Sequence, residues 1–153
     1  MTALRLAALL IALSLAPIAC AQSQTPPRSA APTPGQVPQP RQEKVFPVGS
    51  SWTAVSLNGK PFSGDRPSFT LDQQFRAKGF AGCNTYAATA YPLREQGLAV
   101  GPFALTKKKC DSSVMAVEHA FLVALRSAAK WDISGPVLTV KGQSGELRFE
   151  RAL

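Results

Sequence analysis

Residues 111–130, DSSVMAVEHAFLVALRSAAK, form the one stretch of the chain whose apolar residues repeat at helical spacing. Val114, Val117, Phe121, Ala124, Leu125 and Ala128 fall on one face at a 3.6-residue period, and Ser112, Glu118, His119, Arg126 and Lys130 fall on the other. Asp111, Ser112 and Ser113 offer side chains that can cap the first turn, and Arg126 and Lys130 stand where cations favour a helix C-terminus. The pattern predicts a single helix of four to five turns.

On both sides of this stretch the period changes from 3.6 to 2. Phe69 and Leu71, Leu98 and Val100, Leu138 and Val140, and Leu147 and Phe149 are each two residues apart, as in half-buried strands. SWTAVSL (51–57) is strand-like and ends at Asn58-Gly59, a pair that tolerates positive φ and so favours a tight turn. Strands, one helix and then two or three further strands make the expected class α+β, with an antiparallel sheet packed on or around a single main helix.

The N-terminal third is of another kind. Residues 1–20, MTALRLAALLIALSLAPIAC, place one early cation at Arg5 ahead of an apolar run, Leu6 to Leu15, that is too short to span a bilayer and fits the core of an export signal. Two processing sites compete: PIAC is lipobox-like and would put a lipid on Cys20, whereas Ala19-Cys20-Ala21 is a small-x-small cleavage site that would release a soluble periplasmic protein. The chain has 3 cysteines, and lipidation of Cys20 accounts for the odd one. The expected location is therefore the cell envelope, as an outer-membrane lipoprotein facing the periplasm, or the soluble periplasm if Cys20 stays unmodified. Residues 21–44 carry six prolines and five glutamines with no aromatic residue, the composition of a disordered tether. Fully extended as polyproline II, such a segment reaches about 75 Å at about 3.1 Å per residue. Residues 45–153 then make one folded domain.

Cys83 lies between Gly82 and Asn84, and three roles are open to it. A nucleophile needs a base and a free thiol, yet His119 is the only histidine and falls on the polar side of the expected helix. Zinc needs about four ligands at characteristic spacings, and Cys83, Cys110 and His119 supply no such set. A cross-link needs only the two cysteines and an oxidising compartment, so a Cys83–Cys110 disulfide is the expected state, with a thiol-dependent enzyme or redox protein using Cys83 as the alternative. The acidic residues show no pairing suited to acid–base work, and phosphate-loop, nucleophile-elbow and zinc-protease motifs are missing. No enzyme activity, metal or cofactor is expected.

The full chain carries a formal net charge of +8, and residues 21–153 carry 16 basic against 9 acidic residues, a net of +7. Scattered charge of this size serves solubility first. Arg76, Lys78, Lys107, Lys108 and Lys109 are candidates for contact with a polyanion, but a run of three lysines is too short to read as a nucleic-acid site.

The order of signals resembles the META domain, the HslJ-like (DUF306) group of bacterial envelope proteins. SWTAVSLNG, PSFTL, GFAGCNTYAATAY, LAVGPFALTKKKC, Glu118 with FLVAL, GPVLTV and GELRFER carry the likeness over about residues 51–151. Its specific parts are the G-C-N triplet of Gly82, Cys83 and Asn84, the T-x-x-x-C segment from Thr106 to Cys110, and the E-x-x-F-x-x-A-L helix that begins at Glu118. Lys108 and Lys109 stand where the family more often has a hydrophobic residue and alanine. The resemblance implies a non-enzymatic α+β domain, often on a lipoprotein and associated with heat or drug stress, and it implies no defined substrate. The functional expectation is a binding or structural module of the envelope, whose partner is an envelope protein or a polyanion. Oligomeric state is not legible in the sequence.

Overall fold

In the computed structural model of this chain, the structure describes residues 43–152. The expected export signal (1–20), with Cys20, and all but the last two residues of the expected tether (21–44) lie outside them.

Among the described residues ten strands and one helix follow in the order β1 (Ser51–Leu57), β2 (Lys60–Pro61), β3 (Ser68–Leu71), β4 (Arg76–Phe80), β5 (Thr85–Leu93), β6 (Gly97–Val100), β7 (Ala104–Leu105), α1 (Ser112–Arg126), β8 (Ala128–Ser134), β9 (Val137–Gly142) and β10 (Gly145–Arg151). All pairings are antiparallel, in the order β10-β9-β8-β6-β5-β4-β3-β1, and β10 pairs with β1 to close the ring. The short β2 and β7 attach to β1 and β5. The fold is therefore a closed eight-stranded antiparallel barrel with one helix, and the expectation of an α+β sheet packed on a helix is corrected. The decisive contact is the register Trp52↔Arg151 and Ala54↔Phe149, which joins the first and last strands of the domain. Alternation within a strand says which face is buried, not whether a sheet's edges meet.

The helix is also shorter than its periodicity suggested. It ends at Arg126, and Ala128, counted on its apolar face, belongs to β8, where buried Trp131 and half-buried Ile133 continue a two-residue alternation. Asp111 occupies the N-cap position but makes no side-chain capping bond.

Inward-facing residues fill the barrel, as expected for so few strands. Trp52, Phe69, Leu71, Leu98, Leu138, Val140, Leu147 and Phe149 are almost wholly buried. The register places the Asn58-Gly59 turn, the 81–84 turn and the start of α1 at one end of the barrel, and the 72–75, 94–96 and 135–136 turns at the other. Helix α1 lies across the first end, with the Phe121 ring 6.0 Å from Tyr86 and 6.3 Å from both Phe149 and Phe62. Phe46 closes the second end, 4.9 Å from Trp131 and 6.3 Å from Phe69. Lys44 anchors that crossing, donating to Asp132 Oδ1 at 2.5 Å and to the Ile133 carbonyl at 2.8 Å. The Lys44 hydrogen bond holds the Asp132 carboxyl below its ordinary value of 3.8.

One wall of the barrel depends on a glycine. Gly79 pairs with Tyr86, and a Cβ at Gly79 would lie 2.1 Å from the Ser68 carbonyl oxygen, so β3 and β4 could not approach as they do with any larger residue. Across this gap the Tyr86 hydroxyl donates to the Ser68 carbonyl at 2.9 Å. Burial pushes the Tyr86 phenol well above its ordinary value of 10.0. The unfolded chain then releases this proton near pH 10 while the folded chain keeps it, so the stabilisation is complete below pH 10 and is lost as pH rises beyond it. Unfolding in urea should show a decline of up to about 1.4 kcal/mol per pH unit above that value. Tyr86→Phe should cost about 1 kcal/mol at neutral pH for the lost hydrogen bond and should flatten the alkaline decline.

Candidate functional site

The G-C-N triplet sits in the turn between β4 and β5, closed by the Ala81 N–H donating to the Asn84 carbonyl at 2.8 Å. Gly82 has φ +124, a conformation that side-chain-bearing residues rarely adopt. A Cβ there would meet Glu118 Cα and N at 3.7 Å, an ordinary contact, so the backbone angle rather than lack of space calls for glycine. In this shape the turn aims two successive backbone N–H groups at α1. Both reach Glu118 Oε2, Cys83 N at 3.1 Å and Asn84 N at 2.5 Å, while Asn84 Nδ2 donates to Glu118 Oε1 at 2.9 Å.

Asn84 continues the network in the opposite direction. Its Oδ1 accepts from Lys108 N at 2.7 Å and from Thr106 Oγ1 at 2.8 Å, and Thr106 Oγ1 accepts in turn from Thr85 N at 3.1 Å. The second Nδ2 hydrogen points to the Lys108 carbonyl at 3.5 Å. A Cys83–Cys110 disulfide, with Cα atoms 6.1 Å apart, closes the same segment onto the turn. Cys83 Sγ lies 3.8 Å from the Lys108 carbonyl, a contact rather than a hydrogen bond, since a disulfide sulfur has no proton to donate.

Gly82, Cys83, Asn84, Thr106, Cys110 and Glu118 thus meet at one place. The expectation that Glu118 lies on the solvent face of the helix is corrected: it is 4% exposed, on the core side with Phe121, Leu122 and Leu125. Its spacing of three, four and seven residues from those positions was the signal available for this. Charge alone had argued for solvent, and the three donors from the turn satisfy it in the interior.

Chemically the arrangement fastens. Both Glu118 oxygens are taken by N–H donors, every polar atom of the Asn84 side chain is engaged, and Cys83 is cross-linked. The cleft beside it, about 160 Å³ and lined by Gly82, Asp65, Ser113, Val114 and Val117 among others, is smaller than the roughly 300–1,000 Å³ of typical ligand pockets. His119, next to Glu118 in sequence, is exposed. Among the described residues no three His, Cys, Asp or Glu side chains cluster as a metal site would need.

The profile of the META domain matches residues 45–152, most of the chain and all but the first two of the residues described above. The chain belongs to the META domain family. No curated protein sequence matches it. The fold is similar to an NMR structure of a protein from Burkholderia xenovorans, with TM-score 0.55 and 23% identity, covering 74% of this chain and 96% of that one. It is also similar to a crystal structure of a DUF4847 family protein from Bacteroides vulgatus, with TM-score 0.50 and 15% identity over 66% of this chain and 91% of that one. At these identities the likeness concerns the fold.

The META domain does not bring the five candidate polyanion residues into one group. Arg76 and Lys78 are exposed on β4, whereas Lys107, Lys108 and Lys109 are exposed in the connection from β7 to α1. The cross-strand row Lys78–Ala87–Ala104 puts β5 between the two sets. Sequence reasoning missed a second concavity, of about 900 Å³, at the Phe46 end of the barrel. Glu43, Lys44, Glu95, Gln96, Lys130, Trp131 and Asp132 line it. Its Lys130 ammonium donates to the Glu95 carbonyl at 2.8 Å. Trp131, buried beneath Phe46, finds no hydrogen-bond partner for its indole N–H among the described residues.

Proposed function

We propose that this META domain is a non-enzymatic binding or structural module of the cell envelope, held at the outer membrane on the periplasmic side by a lipid on Cys20 and serving envelope tolerance of heat or drug stress. The Cys83–Cys110 disulfide is the observation that carries this reading, because such bonds persist in oxidising compartments and the cysteine best placed for chemistry is spent on structure. The network around Glu118 supports it further, since the family's specific residues are occupied with one another. The export signal expected in residues 1–20 agrees in direction.

Two measurements test the reading. Mass spectrometry of the mature N-terminus should find an acylated Cys20, and Cys20→Ser should move the protein from the membrane pellet to the soluble periplasm or stall its processing. An unmodified chain beginning at Gln22 would remove the anchor from the account. Titration of the native protein with a thiol reagent should find neither Cys83 nor Cys110 reactive. A reactive thiol at Cys83 in protein taken from the periplasm would favour the thiol-dependent alternative.

A further inference from the structure

The exposed large apolar residues fall into two sets. Leu105, Met115 and Val123 lie at the α1 end, whereas Val45, Val48, Phe75, Tyr91 and Leu93 lie at the Phe46 end. Within the second set Phe75, Tyr91 and Leu93 are 42%, 48% and 55% exposed, and the rings of Phe75 and Tyr91 lie 5.6 Å apart, tilted by 45°. Tyr91 and Leu93 point outward from the same face of β5, and Arg76 and Arg94 follow Phe75 and Leu93 directly in the chain.

Phe75 is hard to explain by folding alone. It sits at φ +58 in the turn between β3 and β4, a left-handed conformation that glycine or asparagine takes more easily than a bulky side chain. The turn is already closed by Asp72, whose carbonyl accepts from Phe75 N and whose Oδ1 accepts from Gln74 N and Arg76 N. The aromatic ring therefore adds exposed apolar area at a strained position without completing the core.

The described residues begin at this end of the barrel. Residues 1–42 precede the described domain and join it at Glu43, whose carboxylate accepts from Glu95 N at 3.3 Å in the β5–β6 turn, two residues beyond Leu93. We propose that Phe75, Tyr91 and Leu93 seat the barrel on the interfacial layer of a phospholipid bilayer, with Arg76 and Arg94 reaching phosphate headgroups. The tyrosine ring, apolar in body and polar at its hydroxyl, set among exposed phenylalanine and leucine and flanked by arginine, suits that layer. The proposal rests on the envelope reading for the presence of a membrane, but not on acylation, since the patch acts through its own side chains.

The test uses the full chain with Cys20→Ser, which carries no acyl group, free and on vesicles of phosphatidylethanolamine and phosphatidylglycerol. Amide exchange in residues 72–76 and 91–96 should slow by about tenfold or more on the vesicles, while α1 should stay within about twofold of its free value. Phe75→Ser combined with Leu93→Ser leaves the core untouched and should remove the local slowing with at most a small fall in melting temperature. A chain that does not bind the vesicles would overturn the proposal, as would slowing at 104–105 and 112–126 instead, or equal slowing at both ends. The mass of the mature N-terminus decides the anchor separately, so failure of one reading is distinguishable from failure of the other.

Discussion

Glu118→Ala should lower the unfolding free energy of the oxidised protein by about 3–5 kcal/mol, read from urea denaturation with the disulfide intact. The wild-type carboxylate accepts from Cys83 N, Asn84 N and Asn84 Nδ2, and alanine would leave all three donors without an acceptor in a buried place. Each orphaned buried donor costs about 1–3 kcal/mol, and the sum is less than additive because the turn can relax toward water. Glu118→Gln is the sharper comparison, for it keeps the volume and loses one acceptor. Its amide NH₂ must face either the two backbone N–H groups or Asn84 Nδ2, so about 1–3 kcal/mol should still be lost. A loss below about 0.5 kcal/mol for both variants would mean that the carboxylate does not hold the helix.

The disulfide should give the second large effect. Cys83→Ala and Cys110→Ala remove the same cross-link, which closes a separation of 27 residues, and each should cost about 2–5 kcal/mol. The double substitution should cost little more than either single one, because the pair acts as a unit. Losses that differ and simply add, with a free thiol in the wild type, would show two cysteines acting independently. The hydrogen-bond network ties the turn to α1 and the covalent bond ties it to Cys110, two residues ahead of the same helix, so reduction should also make the protein more sensitive to Glu118→Ala than the oxidised form is.

Much of the wall of the barrel was legible in the sequence, and its closure was not. Phe69 and Leu71, Leu98 and Val100, Leu138 and Val140, and Leu147 and Phe149 alternate with large side chains, and all eight are buried. Strand β4 escaped notice because its only fully buried residue is Ala77, a weak apolar signal between Arg76 and Lys78. Pairing of β1 with β10 joins residues about as far apart as the domain allows, and no local pattern encodes it. The C-terminal limit of α1 was blurred because Ala128, Ala129 and Lys130 are all good helix formers, so only Trp131 and Ile133 mark the change of period.

The site was legible in a different way. The cysteine pairing followed from composition and the expected compartment, Gly82 and Asn84 stood out as residues suited to unusual backbone angles beside Cys83, and Thr106 and Glu118 entered the motif through family resemblance. That they converge on one network is a product of the fold, because the 81–84 turn, the segment after β7 and the middle of α1 are brought together only by the barrel. Phe46 shows the same limit. It lies beside Pro47 with no period of its own, yet it closes one end of the core against Trp131 and Phe69.

Native-state amide exchange on Glu118→Ala, with the disulfide intact, tests most directly the claim that this network serves to hold α1 across the barrel mouth. Amides of residues 112–126 should lose protection by a factor of about 100 or more relative to wild type and should exchange ahead of β9 and β10, which stay protected until global unfolding. The strands lose protection as well, by the amount that global unfolding becomes easier. The contradicting result is therefore helix amides that open in the variant at the same free energy as β9 and β10, or a helix that keeps its wild-type protection; either would leave Glu118 free for another role.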